Sequence, residues 1–462
     1  MKTEPRVVLE PEPSQWIALA RRGSSMTADR KQRFRAQLGL PTDRPIVMTG
    51  HQPAFWHPGI LSKYFAAESS ARRIIGSTAW LVVDHDANAW NELSVPIRSG
   101  GTGSDSVRLA RRTWRYAPRP RGDTPAASCP SFDPVPFDGR EDAALDCVRD
   151  GLEKVEAALR SRRDERDAAR QVSLAVGDYL VRPSGHGTPL LSASPIVFST
   201  DVAGTDFFLE IVERFRRDPR RAAEAYNRAV ARFPKARVQP LMSDGAGIEA
   251  PLWRLRPGEA RQRVFADDLG DSNTESGRLA PRALLLTAVM RLAGCDLFIH
   301  GRGGALYDLI TEAWIGDWLG ESLAPTVAVT ADVLLPFDDT RSVAELPETS
   351  IWRAHHARHD PSLLGDEAGA TLKRSHLAEI EALRRERRDA KAAFLAMHEA
   401  LRRYRTNRAR DLAELQAKAD AARALARETA ITHDRTWSFA MYPPADLERL
   451  KRSIEARFSG AG

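Results

Sequence analysis

Cysteine is scarce in this 462-residue chain: Cys129, Cys147 and Cys295 stand far apart and none belongs to a C-x-x-C pair, which excludes a disulfide framework or a zinc ribbon. Long apolar runs are missing too. Nothing approaches the roughly 18 residues needed to span a bilayer, and the opening MKTEPRVVLEPEPSQW lacks the apolar core of a secretion signal, so the expected setting is the cytoplasm. Charge of one sign is not in large excess, since 68 basic against 62 acidic residues leave a net +6. Most of the arginine is interleaved with Asp and Glu, as in SRRDERDAAR and EALRRERRDA, the pattern of solvated helix faces. No basic stripe with interleaved aromatics occurs, and nucleic acid is not an expected partner. The chain also has no G-x-x-x-x-G-K-[ST] phosphate loop and no G-x-S-x-G nucleophile elbow. With 42% hydrophobic residues, it is expected to be a soluble globular protein of two or three structural units.

Chemistry-bearing residues collect at three places. WLVVDHDANAWNE, from Trp80 to Glu92, is a short apolar strand that stops at Asp84, His85 and Asp86, with Asn88 and Asn91 just beyond. Open α/β sheets place their ligands at such strand ends. Upstream, Pro45 to Ala67 (PIVMTGHQPAFWHPGILSKYFAA) predicts a strand, a turn carrying His51, Gln52 and His57, and a helix from Pro58 with Lys63 one turn in. Third, CDLFIH predicts a strand, and GRGG (Gly301, Arg302, Gly303, Gly304) a turn into the helix ALYDLITEAWIGDWLG. A glycine turn at a helix N-terminus suits a phosphate or carboxylate, although many such turns carry glycine for geometry alone.

Three readings of Asp84, His85 and Asp86 compete. They are a capping or Asx-turn cluster, a metal site joined by His51, His57 or His300, and a catalytic cluster in which a carboxylate or His85 takes a proton from an amine. No ordered ligand spacing supports the metal, so none is assigned. His51 and His57 have their own plain reading as turn residues packed on Trp56. Beside Gln52 and Lys63, they also suit stabilising charge on a phosphate or acyl phosphate.

The rest of the chain predicts an N-terminal arm with a helix near Ala28 to Leu38, a proline-rich surface connection at 116–137 and an amphipathic helical insertion at about 139–172. The segment LLSASPIVFST reads as a strand, TDFFLEIVERFRR and RRAAEAYNRAVARF as helices, and ARVQPLM and APLWRL as two strands joined at 243–247. Residues 371 to 442 contain neither glycine nor proline. They predict two antiparallel helices meeting near Asn407, a coiled-coil arm over 371–433, with one continuous helix as the rival; a tail helix follows from about Asp446. The predicted fold is a Rossmann-like parallel-sheet core over 1–370 with helical insertions, the arm, and a 434–462 tail.

These segments, taken in order, resemble the bacillithiol-synthesis cysteine-adding enzymes. TGHQPAFWHPGILSKY resembles that family's first strand-turn-helix, and AWLVVDHDANAWNEL its Asp-His-Asp strand end, with Asp84, His85, Asp86 and Asn91 matching. YNRAVARFPKARVQPLMSDGAGIEAPLWRL, LLLTAVMRLAGCDLFIHGRGGALYDLITEAW and ITHDRTWSFAMYPPADLERLKRSI are similar to its later segments. The resemblance implies a dimer through the coiled coil and addition of cysteine to the amine of glucosaminyl malate, with ATP activating the acyl group. Asp84, His85 and Asp86 would then handle the amine, with Asn88 and Asn91 beside them. His51, Gln52, His57 and Lys63 would hold the activated group, and Gly301, Arg302, Gly303 and Gly304 an anionic part of the substrate. The chain departs from the family's pattern at His51, His57, Ala87, Asn88, Ala89 and Arg302 to Gly304, so the resemblance is that of a divergent member acting on another amine or another acid. HQPAFWHPGILSKY is also similar to the opening of WbqC-like proteins, associated with amino-sugar acyl modification. A non-catalytic scaffold on the same fold is the alternative from a different class.

Overall fold

The computed structural model describes residues 4–99, 108–182, 189–244, 247–270, 277–337 and 347–460. Its N-terminal segment, expected as an arm, opens with a strand, β1 (Arg6–Glu10), before α1 (Trp16–Arg22) and α2 (Ala28–Gln37). Val7 and Leu9 are buried, with Val8 half-buried between them and Arg6 and Glu10 exposed, but five residues are too few for that alternation to stand out in a sequence. β2 (Ile46–His51), α3 (Pro58–Ile74) and β3 (Ser77–Val82) follow as the sequence predicts, with Pro58 at the first helical position. After the Asp-His-Asp turn, β4 (Glu92–Ser99) pairs with β5 (Arg108–Arg115). The proline-rich stretch is partly interior rather than superficial. Tyr116, Ala126 and Phe137 are buried, and Tyr116 stacks on Phe132, so aromatic surface outweighs proline content there.

The insertion is two helices, α4 (Asp146–Ser161) and α5 (Ala168–Val181), because the Asp167 carboxylate accepts the Arg170 amide at 2.9 Å and starts the helix afresh. β6 (Ile196–Phe198), α6 (Ser199–Val202), α7 (Asp206–Arg217) and α8 (Pro219–Arg232) come next. ARVQPLM forms no strand, since Pro240 removes a ladder donor. β7 (Ser243–Asp244), β8 (Gly247–Leu255), β9 (Gln262–Phe265) and β10 (Arg278–Pro281) make a small antiparallel sheet; residues 245–246 of the expected connection lie outside the described residues. α9 (Ala283–Val289) then leads through a wider turn, Met290–Gly294, to β11 (Leu297–His300), α10 (Ala305–Leu319) and β12 (Thr326–Asp332).

The main sheet runs β1-β12-β11-β2-β3-β6, parallel throughout except for β1. Numbering the parallel strands β2, β3, β6, β11 and β12 by chain order as one to five, the spatial order is 3-2-1-4-5, a doubly wound arrangement. Its direction reverses between β2 and β11. Right-handed crossovers therefore send α3 and α10 to opposite faces and open a crevice beyond those two strand ends. One face is buried under a core containing Phe34, Phe208, Tyr226, Trp314 and Trp318.

The chain divides into two units. The first holds the main sheet and the small antiparallel sheet and closes with a tail helix, α15 (Pro444–Ser459), tied to α3 by Arg72–Glu455 at 2.7 Å. The second, 98–110 with 337–433, takes the adjoining ends of β4 and β5 and is otherwise helical among the described residues: α11 (Pro347–Ala357), α12 (Glu367–Arg385), α13 (Lys391–Asn407) and α14 (Ala409–Thr432). Its helices begin with α11, ahead of residue 371, where the arm was expected to start. The expected pair of helices is three. α12 and α13 form the hairpin around Ile380, Ala393, Met397, Leu401 and Tyr404, while α14 packs on α11. The chain turns at Arg384 to Asp389, six consecutive charges with no apolar side chain to carry a seam onward, and Arg387 takes a left-handed φ of 55°. Among the described residues no helix is long and apolar enough to cross a membrane.

Candidate functional site

A cavity of about 800 Å³ lies at the reversal point of the sheet. It brings together His51, Gln52, His57, Lys63, His85, Asp86, Gly301, Arg302, Gly303 and Gly304. Topology accounts for this convergence. Thr49 pairs with Ile299 and His51 with Val82, so the residues after all three strands emerge at one edge. Asp84, Asn88 and Asn91 do not line the cavity.

Asp84 is fully buried in a polar socket. Its Oδ1 accepts from the Ser199 hydroxyl at 2.5 Å and the Thr200 amide at 3.0 Å, and its Oδ2 accepts from the Thr200 hydroxyl at 2.5 Å. Burial pushes its carboxyl above the usual range against the pull of these donors. His85 is held by Ser199 at Nδ1, 2.6 Å, and burial lowers it to about 4, so its ring is neutral at pH 7. Asp86 reaches the cavity. Gln52 Nε2 donates to it at 3.0 Å, Arg261 at 2.7 Å and the Ala87 amide at 3.0 Å. Burial pushes the Asp86 carboxyl up, but these hydrogen bonds and the Arg261 charge outweigh it and the net shift is downward. The pair therefore sets an ionised carboxylate beside a neutral imidazole. Asn88 donates to Pro53 O at 3.2 Å and Asn91 to Pro118 O at 3.4 Å, which ties loops together behind the wall.

On the β2–α3 turn, His57 caps the helix: its Nδ1 accepts the Gly59 amide at 3.1 Å, leaving Nε2 as the protonated nitrogen. His51 packs edge-on to Trp56 and is lowered to about 3 by burial and then by Lys63. Burial also lowers His57, with Arg435 and Lys63 adding to it. Lys63, 5% exposed, donates to Gly50 O at 2.6 Å. Among the described residues no carboxylate pairs with it, and burial alone lowers it to about 7. Gly50 is the β2 residue next to the β11 terminus, so this amine sits where the two strands part. Across the gap, the 301–304 turn opens α10. The His300 ring packs so closely on Gly304 that a β-carbon there would lie 2.6 Å from Nδ1. Among the described residues no three His, Cys, Asp or Glu side chains converge as metal ligands.

Several cavity residues escaped sequence reasoning. Arg261 and Arg282 both lie against Trp253, with guanidinium carbons 4.6 and 4.0 Å from a ring centroid, and Arg282 pairs with buried Glu249 at 2.6 Å. Arg435, from the stretch preceding the tail helix, pairs with Asp332 at the end of β12. No spacing marks these arginines among so many others. Ser199 and Thr200 had a signal: they end an apolar strand, as Asp84 does.

No family model and no curated protein matches the sequence. Among solved structures, the chain has a distant likeness to a tyrosyl-tRNA synthetase complexed with L-tyrosine from Archaeoglobus fulgidus, at 11% identity over 74% of each chain and a TM-score of 0.25. The doubly wound assignment rests on strand order, not on that likeness.

Proposed function

We propose that the chain is an amide-forming enzyme, a divergent relative of the bacillithiol-synthesis cysteine-adding enzymes. It would join the carboxyl of cysteine or a similar amino acid to the amine of an amino-sugar conjugate such as glucosaminyl malate. The observation that carries this reading is the division of one cavity into two chemistries. Ionised Asp86 adjoins neutral His85, and Lys63, with which no carboxylate pairs among the described residues, lines the same cavity as the glycine turn. Asp86 attracts an ammonium group and orients it; the amine attacks the acyl carbon once one proton has gone to solvent, and His85 accepts the second proton as the C–N bond forms and the activating group leaves. Lys63, Arg302 and the first-turn amides of α10 hold the negative charge on the acyl side.

The residues present fit a nucleotide phosphate, because a buried ammonium without a carboxylate partner needs an anion to offset its desolvation. Lys63, Arg302 and the Gly301 to Gly304 turn would hold it. Activation of the acyl carboxylate is the chemistry that bound ATP supplies. The test is incubation of the full chain with ATP, cysteine and glucosaminyl malate, then with other amino acids and amino sugars, followed by product mass. An adduct heavier than the amine by the amino acid less one water is expected. Failure to form any adduct, or to consume ATP, across the panel would sink the proposal.

A further inference from the structure

Beneath the cavity wall, four groups form a closed hydrogen-bonded set: Asp84, His85, Ser199 and Thr200, none more than 3% exposed. We propose that Ser199 is a positioning residue that links Asp84 to His85, fixes the imidazole with its proton on Nδ1 and leaves bare Nε2 to serve the cavity as a base. A serine hydroxyl has one proton to donate. Ser199 Oγ lies 2.5 Å from Asp84 Oδ1, 2.6 Å from His85 Nδ1 and 3.2 Å from the Asp84 amide, which can only donate to it.

Oδ1 also receives the Thr200 amide at 3.0 Å, so it is an acceptor. An ionised Asp84 can only accept, so Oδ1 takes the Ser199 proton; a protonated Asp84 gives the same direction when its proton sits on Oδ2, the oxygen that faces the Thr200 hydroxyl at 2.5 Å and not the Thr200 amide. With its proton committed to Asp84, Ser199 has only lone pairs to offer His85. Nδ1 must then carry the hydrogen, and the neutral ring holds its lone pair at Nε2. Among the described residues nothing bonds to Nε2, and His85 lines the cavity beside Asp86. Ser199 and Thr200 open a short helix at the end of β6, the neighbour of β3, which is how residues more than a hundred apart meet.

The tautomer assignment stands on this geometry alone; its catalytic consequence rests on the reading of His85 as proton acceptor. The experiment is a long-range ¹H–¹⁵N spectrum of the full chain labelled at histidine, at pH 7, with the His85 signals identified by their loss in His85→Gln. Wild type is expected to show a protonated Nδ1 and a bare Nε2. Ser199→Ala is expected to lose that preference and Ser199→Thr to keep it. In the amide-forming assay, Ser199→Ala should lower kcat roughly 10-fold or more with KM little changed. A protonated Nε2 in wild type overturns the proposal, and so does an unchanged tautomer in Ser199→Ala. If that variant does not fold, the wild-type spectrum alone decides. A protonated Nδ1 with no amide product would overturn the proposed reaction and leave the tautomer assignment standing; product formed with a protonated Nε2 would do the reverse.

Discussion

Asp84, His85 and Asp86 are consecutive, yet each meets a different environment. Asp84 turns into the socket of Ser199 and Thr200, His85 spans socket and cavity, and Asp86 faces Gln52 and Arg261. The sequence made the cluster visible because an apolar run ends there abruptly. It did not sort the two carboxylates, because their partners arrive from β6 and from the small antiparallel sheet. The two should therefore respond differently to substitution. Asp84→Ala strands three buried donors and should lower unfolding stability by roughly 2–4 kcal/mol in a denaturant titration, whereas Asp86→Asn should change it by less than about 1 kcal/mol.

Titration at the residue scale follows from the burial of three bases. Unfolded Lys63 titrates near 10.5 and folded Lys63 near 7. The charged amine is thus disfavoured by folding in full below pH 7, and that penalty is relieved as pH rises from 7 to 10.5. Lys63→Met should accordingly stabilise the protein at pH 6, on the order of 1–3 kcal/mol, with the difference from wild type shrinking toward pH 10. A variant less stable than wild type at both pH values would contradict the unpaired ammonium. His51 and His85, held near 3 and 4, stay neutral while their unfolded counterparts protonate below about 6.5. Wild type should lose stability as pH falls from 6.5 toward 4, and His51→Asn should flatten that slope.

Elements were most legible where they are long or sharply bounded. α3 begins at Pro58, α10 follows its glycine turn, and the helix near Ala28 appears as α2. β1, β4 and β5 were not, since an edge strand and a ribbon take their definition from partners distant in the chain. The hairpin of α12 and α13 turns inside a run of charges that helix propensity alone reads as continuous helix. Close approach explains Gly50 and not Gly301. A β-carbon on Gly50 would lie 2.3 Å from the Leu81 carbonyl oxygen of the neighbouring strand, while one on Gly301 meets nothing within 4 Å. Gly50→Ala should cost about 2 kcal/mol or more and Gly301→Ala under about 0.5 kcal/mol, read from paired melting curves.

At the scale of the whole molecule, the strand order makes the site. Reversal between β2 and β11 leaves a gap that no crossover fills, and the residues after β2, β3 and β11 surround it. Alternating strands and helices were readable in the chain, and with them the parallel core. The order of strands was not, because β6 and β11 are separated from β3 and from each other by long insertions. The helical unit exposes Trp352, Phe394 and Leu395. If these support the homodimer that the resemblance implies, sedimentation should give twice the 51.2 kDa chain mass, and Phe394→Glu with Leu395→Glu should return it to one.

If, as proposed, Asp86 and His85 receive an amine in the cavity that Lys63 supplies with positive charge, amide formation must depend on the Asp86 carboxylate. The deciding measurement is the rate of amide product formation, by mass, in wild type and in Asp86→Asn of matched stability. Product from wild type and a loss of about 100-fold or more in the variant are expected. Equal rates in the two proteins would contradict the proposal.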